Sequence, residues 1–370
     1  MVSYVKKFLK GVLNLSRIWE IVITGGPCAG KTTGLSVLEQ VITKRGYKVI
    51  VVPETATEVI SSGISPKEIS VEDFQNLIIR RTINKEETTK DVARLYKKDV
   101  VILYDRGLLD SKAYMPYSLF LKVLKQNHLT ENEARDRYDA VFHLVTAADG
   151  AEEYYTLENN QARSETPEQA RELDKKTRDA WVGHQHLRVI DNSTPFKEKI
   201  DKLLKEVFAV LGMPTPIEIE RKLLIKKPNE EFLSRYGSIK LDIVQTYLKK
   251  DNPLIERRIR QRGSDGDFSY FYTEKRKISS LSRFEVERSI SQKEYLTLLT
   301  EGISTIRKER YCFFYKNQYF ELDIYPDWDE NSILEIELTE ENQKIEIPEE
   351  LIVIEDVTGN PKYLNSNLAK

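Results

Sequence analysis

Ile21-Val22-Ile23-Thr24-Gly25-Gly26-Pro27-Cys28-Ala29-Gly30-Lys31-Thr32-Thr33 is an apolar run delivered into Gly-x4-Gly-Lys-Thr. That spacing is the Walker A pattern. Backbone N–H groups along Gly25, Gly26, Pro27 (which lacks one), Cys28, Ala29, Gly30, Lys31, Thr32 and Thr33 are expected to cradle phosphate oxygens. A helix beginning near Lys31 adds its N-terminal dipole to the cradle. Lys31 is expected to reach the β- and γ-phosphates and Thr32 to hold Mg²⁺. Leu35, Leu38 and Ile42 make an apolar helical stripe. Gly46 ends that helix, and Lys48–Val52 reads as the next strand.

Working outward, 370 residues with 40% apolar content predict two folded domains. A formal net charge of -2 does not suggest a nucleic-acid partner. The two cysteines, Cys28 and Cys312, supply neither a disulfide framework nor a zinc set. His128, His143, His184 and His186 are scattered, and the last two read as helix-end or surface residues. Apolar runs stay well below the roughly 18 residues of a membrane span, so a cytoplasmic protein is expected. Residues 1–19 form a separate segment. Val5, Leu9 and Val12 recur there at helical spacing among Lys6, Lys7, Lys10 and Arg17. Such a segment either packs on its own domain, stays partly disordered, or touches an anionic membrane surface as a peripheral anchor.

Residues 20–211 alternate strands and helices. Strands are predicted at 20–24, 48–52, 100–104, 141–145 and 187–190. Helical stretches at 71–98, 112–127, 131–138, 167–183 and 197–211 separate or follow them. This is the rhythm of a doubly wound parallel α/β sheet. Gly212-Met213-Pro214-Thr215-Pro216 breaks the chain. From 217 onward the pattern becomes alternating charged and apolar residues, so that 212–370 reads as a second, mostly β domain.

A second phosphate-site element follows the Walker A loop. Val100-Val101-Ile102-Leu103-Tyr104 ends in Asp105-Arg106-Gly107. Asp105 can hold Mg²⁺ directly or through water, or act as a helix cap, and Arg106 can balance phosphate charge. Glu54 ends the second strand, where a carboxylate overlooks the cleft at the strand C-termini. It reads as an acceptor-orienting group, a Mg²⁺ partner or a plain cap. Arg163, Arg171 and Arg178 are spaced to cover phosphates as a water-excluding lid. Asn192, just past the last strand, is placed to flank a base. No Asn-Lys-x-Asp guanine signature stands in the usual late position, so ATP and GTP both remain open.

The Gly-Gly-Pro-Cys-Ala-Gly-Lys-Thr-Thr loop, Pro53-Glu54, Phe74-Gln75 and Asp105-Arg106-Gly107 resemble the P-loop kinase-like ATPase family that includes nicotinamide riboside and deoxynucleoside kinases. The resemblance implies that Glu54 and Gln75 approach an acceptor and that Arg106 contacts phosphate. Gly107 stands where those kinases carry Ser, and that departure bears on the acceptor and on kinase activity itself.

The second domain opens with Ile217-Glu218-Ile219-Glu220-Arg221-Lys222. Glu218, Glu220 and Lys222 share one side of a strand. The device returns at Arg258/Arg260/Arg262, Thr273/Lys275/Lys277, Glu285/Glu287, Lys308/Arg310, Asp323 and Glu335/Glu337. Alternation allows two arrangements. One puts the charges in water on the outer face of a sheet. The other closes the sheet and turns them into a lumen, with acids holding Mg²⁺ or Mn²⁺ and bases lining a polyphosphate path.

This order of charged strands resembles the CYTH, or triphosphate tunnel metalloenzyme, superfamily over about residues 216–369. The resemblance implies an antiparallel eight-stranded tunnel. It implies metal near Glu218, Glu220, Glu335 and Glu337, with Asp323 in the same set. It implies phosphate near Lys222, Arg258, Arg260, Lys275, Lys308 and Arg310, and tripolyphosphate or another triphosphate compound as ligand. Catalytic roles are expected for Glu54, Asp105, Arg106, Arg163, Glu218 and Glu220. The order of the two modules, and the closing Glu355–Asn365, resemble the TRPL translocation defect protein 14 family. That likeness implies GTP binding, phosphatidic acid affinity and membrane-protein trafficking.

Overall fold

The computed structural model describes residues 16–155, 166–213, 219–249, 255–277, 283–338 and 343–370. In chain order the elements used below are β1 (Ile18–Gly25), α1 (Lys31–Lys44), β2 (Lys48–Val52), α2 (Thr55–Ser61), α3 (Val71–Arg94), β3 (Val100–Asp105), α4 (Tyr117–Gln126), α5 (Glu131–Asp136), β4 (Ala140–Leu144), α6 (Pro167–Ala180), β5 (Leu187–Ile190), α7 (Phe196–Val210), β6 (Ile219–Lys226), α8 (Glu230–Arg235), β7 (Ile239–Leu248), β8 (Ile255–Ser264), β9 (Asp267–Lys277), β10 (Arg283–Ile290), α9 (Gln292–Leu299), β11 (Gly302–Tyr315), β12 (Gln318–Ile324), β13 (Asn331–Leu338) and β14 (Val353–Asp356). They pack as two units. One takes the described residues up to Leu129 together with Tyr138–Thr177; the other takes Thr130–Arg137 and Arg178–Lys370.

In the first unit, parallel strands stand in the order β2-β3-β1-β4. Val100–Leu103 and Ile21–Ile23 are fully buried, as expected of parallel strands covered on both faces. β1 lies between β3 and β4, so its C-terminus and the loop after it open into the crevice where the strand order reverses. Helix α3 starts at Ser70, whose hydroxyl accepts from the Asp73 N–H. One expected helix starts late. The stretch predicted at 112–127 becomes a 3-10 turn over Leu108–Tyr114 and then α4. Pro116 holds the preceding Met115 extended, at φ -150° and ψ 161°, which separates the two.

The second unit is built on an antiparallel sheet in the order β10-β9-β8-β7-β11-β12-β13-β6-β14. Eight strands were expected; the ninth is the short β14, added on the outer side of β6. One face is apolar. Leu223, Ile225, Phe313, Phe320, Leu334 and Ile336 pack under α8 through Phe232 and Leu233. Leu248, Ile259 and Ile290 pack with Tyr295 of α9. The opposite face carries the charges, and most of them are buried or half-buried too. Asp323 is 0% exposed, Arg262 2%, Lys308 6% and Glu335 7%. A flat sheet would leave that face in water, so the burial settles the two arrangements in favour of an enclosed charged face. Charges are tolerated there because each is matched by an opposite charge or a hydrogen bond.

Candidate functional site

The glycine-rich loop leaves β1 at Gly25, with φ +143°, and delivers the chain to α1 through Gly30, with φ +87°. Thr32 and Thr33 are exposed in the first turn of α1, while Pro27 and Ala29 are buried. Cys28, half-buried, takes the left-handed conformation with φ +55°, and its carbonyl accepts from Ala147 N–H at 3.2 Å. Lys31 is buried and folds back over the loop, donating to the carbonyls of Gly25 at 3.2 Å and Gly26 at 3.3 Å. Its ammonium therefore sits where a bound polyphosphate would compete with two backbone carbonyls for it.

Around Lys31 the structure gathers three of the other expected residues. Glu54 pairs with the Arg106 guanidinium at 2.7 Å. Burial works to raise the Glu54 pKa, but Arg106 and then Lys31 outweigh it and hold the carboxyl below its ordinary value. Glu54 is thus an ionised partner of Arg106. Asp105 is pushed up, first by burial and then by Glu54, with Lys31 pulling the other way. Its Oδ1 is buried and accepts no hydrogen bond. A buried carboxylate oxygen without a donor, within reach of the charge of the Walker A Lys31, suits a divalent cation. Thr32 and Asp105 would hold Mg²⁺ there, and the ion would offset phosphate charge.

Other expected residues are placed differently. Arg106, at φ +70°, is bracketed by Glu54 and by Asp110 at 3.3 Å, so its charge is balanced within the protein. Gln75 is buried on α3. Arg171 donates to the Ala148 carbonyl at 2.6 Å and pairs with Glu168 at 3.0 Å, so it braces a turn. Arg178 belongs to the second unit, where it bonds Asn317 and lies 4.3 Å over the Phe314 ring. Asn192, in that unit as well, accepts from Lys199 at 2.7 Å. Arg163 and Glu218 lie outside the described residues, as does most of 1–19. Of the helix-end and surface alternatives for His184, the first fits: it follows the turn that ends α6 and is fully buried, edge-on to Trp181.

In the second unit the enclosed face is a lattice of ion pairs. Arg310 donates from Nε to Asp323 Oδ1 at 2.6 Å, and from Nη2 to Asp323 Oδ2 and Glu335 Oε2, both at 2.6 Å; Nη1 bonds Glu321. Lys308 bonds Asp323. Lys222 bonds Glu335 at 2.7 Å and lies 3.2 Å from Glu220. Arg260 faces Glu287 at 3.7 Å, and Thr273 donates to the same carboxylate at 2.7 Å. Arg258 and Lys275 are half-buried on the same face. Burial works to raise the Glu287 pKa, but Arg260 and Arg258 overcome it and hold the carboxyl at about 2. Burial depresses the Lys308 pKa, reinforced by Arg310. Burial, then Glu335, raises that of Glu220.

The described acids expected near metal on this face take the protein's own cations as partners. Asp323 is occupied by Lys308 and Arg310, Glu335 by Arg310 and Lys222, and Glu337 by Arg188. Among the described residues no group of three or more His, Cys, Asp or Glu is arranged to hold a metal ion. The acids sit close to cations because oppositely charged residues were alternated onto neighbouring strands in register. Glu335 stands across from Lys222, and Arg310 across from Asp323.

Sequence reasoning missed four residues of the first site, Asp110, Asp174, His143 and Thr146, and gave Arg262 a place on the charged face without its partners. Asp110 accepts from Thr24 and from the Gly107 N–H at 2.8 Å. It stands three residues after Gly107, a capping spacing that could have flagged it. Asp174 accepts from the loop itself, and His143 and Thr146 surround it. Within the charged α6, nothing distinguishes Asp174 from its neighbours. Arg262, buried at 2%, bonds the Gly183 carbonyl and lies 3.8 Å from Asp136.

With this geometry in hand, the similarities fall into place. The family described as AAA domain matches residues 20–199. The inorganic triphosphatase of Acetivibrio thermocellus is 32% identical over 162 residues, covering 41% of this chain and 93% of that protein. The crystal structure of the inorganic triphosphatase NE1496 is 28% identical over 41% of this chain and 94% of its own, with a TM-score of 0.30. A structure of PH1012 protein from Pyrococcus horikoshii is 19% identical over 32% of this chain and 78% of its own, with a TM-score of 0.25. Through its C-terminal region the chain belongs to the triphosphate tunnel (CYTH) family, and it carries an AAA-like P-loop domain ahead of the tunnel domain.

Proposed function

We propose that the chain is a two-site phosphohydrolase. The first unit binds a Mg-nucleoside triphosphate and hydrolyses it or transfers its γ-phosphate. The second binds a triphosphate compound and hydrolyses it. The observation that carries the second reading is the Arg310–Asp323–Glu335–Lys222 lattice. An incoming triphosphate would replace carboxylates as the partner of cations already gathered on one buried face. Fixed, desolvated guanidinium and ammonium groups of this kind stabilise charge developing on a leaving phosphate. The likeness to an inorganic triphosphatase supports tripolyphosphate as the first substrate to try. The first reading rests on Lys31 and the unpartnered Asp105 Oδ1.

Phosphate release from tripolyphosphate, thiamine triphosphate, ATP and GTP, with Mg²⁺ or Mn²⁺ present, tests both. Tripolyphosphate turnover that disappears in the Arg258→Ala/Arg260→Ala variant is the expected result. Titration with Mg-ATP and Mg-GTP decides the base. Should tripolyphosphate bind without being cleaved, the second unit is a recognition module. The reading implied by the TRPL translocation defect protein 14 resemblance, a nucleotide switch for an anionic lipid, then gains ground. Binding of phosphatidic acid vesicles with and without nucleotide would address it.

A further inference from the structure

Three polar contacts hold the first half of the glycine-rich loop, and helix α6 supplies one of them and braces the residue that makes the second. Asp174 Oδ1 accepts from the Gly26 N–H at 2.7 Å and from the Thr146 N–H at 3.1 Å. The Thr146 hydroxyl donates to the Pro27 carbonyl, and Ala147 N–H to the Cys28 carbonyl at 3.2 Å. Asp174 is 6% exposed, and its second oxygen lies 3.2 Å from Nε2 of the fully buried His143. One turn earlier on α6, Arg171 donates to the Ala148 carbonyl at 2.6 Å. The same helix thus grips both the loop and the turn behind it.

The two glycines are shaped to this arrangement. A Cβ on Gly25 would stand 2.1 Å from the Leu144 carbonyl oxygen, and one on Gly26 would stand 2.7 Å from Asp174 Cβ and Oδ1. Gly25 lets the loop pass the end of β4, and Gly26 lets α6 approach the loop. The contacts engage the N–H of Gly26 and the carbonyls of Pro27 and Cys28. The chain then runs through Gly30 into Lys31 and Thr32, the first turn of α1, the kind of helix N-terminus that favours an anion.

We infer that Asp174 is the positioning residue of the nucleotide site: it pins the limb of the loop that does not meet phosphate, so that the other limb is held open for it. The inference rests on the reading of the first unit as a nucleotide site. A carboxylate close to a polyanion site is electrostatically costly, and a carbonyl oxygen would accept the same two hydrogen bonds. The two bonds, rather than the charge, are therefore the working part.

The test compares Asp174→Asn, which keeps an acceptor oxygen, with Asp174→Ala, which removes it, by titration with Mg-ATP and Mg-GTP on the full chain. Asp174→Ala is expected to weaken the better nucleotide about tenfold, the effect of roughly one net hydrogen bond. Asp174→Asn should restore affinity to within about threefold of wild type. Affinity unchanged in Asp174→Ala, or Asn as damaging as Ala, overturns the inference. Residue-resolved hydrogen exchange on the wild-type chain gives an answer even where Asp174→Ala does not fold. The Gly26 and Thr146 amides should be protected before nucleotide is added, and the Lys31 amide should gain protection on adding it. A Gly26 amide that exchanges freely without nucleotide contradicts the clamp. If wild type binds neither nucleotide, the nucleotide-site reading fails first and the positioning role falls with it.

Discussion

Arg310 shows how a single residue can be both scaffold and binding group. Its guanidinium serves both oxygens of the fully buried Asp323 and one each of Glu321 and Glu335. Removing one partner of a buried ion pair strands the other charge, which typically costs about 3–5 kcal/mol. Arg310→Ala is therefore expected to destabilise by roughly that amount in a urea melt, with Arg310→Lys in between because it keeps the charge and loses the fork. A melt of Arg310→Ala indistinguishable from wild type would show that Lys308 and Lys222 suffice. At the other site, Lys31→Ala should remove detectable binding of Mg-ATP and Mg-GTP and leave the far-UV circular dichroism unchanged. Retained affinity in that variant would sink the assignment. At this scale the sequence was informative where chemistry needs a fixed spacing. Lys31, Asp105 and the Lys308–Arg310 pair were visible because loops and strands set their neighbours. Asp174 and His143 were not, because they come from distant elements and meet only in the folded chain.

At the level of the element, the five strands given bounds from periodicity, 20–24, 48–52, 100–104, 141–145 and 187–190, fall within two residues of β1 to β5. Period-2 alternation also gave the correct face for Arg258, Arg260, Lys308, Arg310, Asp323 and Glu335, since register between neighbours fixes every side chain at once. Alternation alone could not say whether that face was wet or enclosed. That depends on the helices α8 and α9 covering the other face, and neither announces itself by length. The strand β14 was hidden for a similar reason: Val353–Asp356 is exposed, and its pairing to β6 carries no sequence signature. Helix ends were more legible. Ser70 caps α3 through the Asp73 N–H, so Ser70→Ala should cost about 1 kcal/mol in a thermal or urea melt without affecting nucleotide affinity. A loss of affinity in that variant would mean that α3 is part of the site.

For the molecule as a whole, the boundary at 212 reads naturally from Gly212 and the prolines after it, yet the second unit also takes Thr130–Arg137 and Arg178–Leu211. Val182 packs with Leu241, Ile243 and Cys312, the Gly183 carbonyl holds Arg262, and Arg188 pairs with Glu337. These partners approach from far away in sequence, which is why composition alone did not find them. A fragment of 212–370 is expected to melt lower than the full chain and to bind a hydrophobic dye, since it uncovers Leu241 and Ile243. A fragment as stable as the full chain would show those contacts to be dispensable.

Acid should unfold this unit by a specific route. Burial opposes ionisation of Glu287 and Asp136, but their guanidinium partners win and hold both at about 2, against ordinary values of 4.5 and 3.8. Depressed carboxylates stabilise the fold above their unfolded values, and that contribution drains away as pH falls through the folded ones. Stability should thus decline between about pH 4.5 and pH 2, by on the order of 2–3 kcal/mol per group. Urea melts across that range would show it. The decline should be smaller in Glu287→Gln, and an unchanged slope there would remove Glu287 from the account.

The central claim is that the chain holds two distinct phosphate sites. Phosphate release from tripolyphosphate, measured beside nucleotide titration in wild type, Lys31→Ala and Arg258→Ala/Arg260→Ala, tests it most directly. The account predicts that Lys31→Ala loses nucleotide and keeps tripolyphosphate turnover, while the double arginine variant does the reverse. Loss of tripolyphosphate turnover in Lys31→Ala, with the double variant still active, would place that chemistry in the glycine-rich loop and contradict the account.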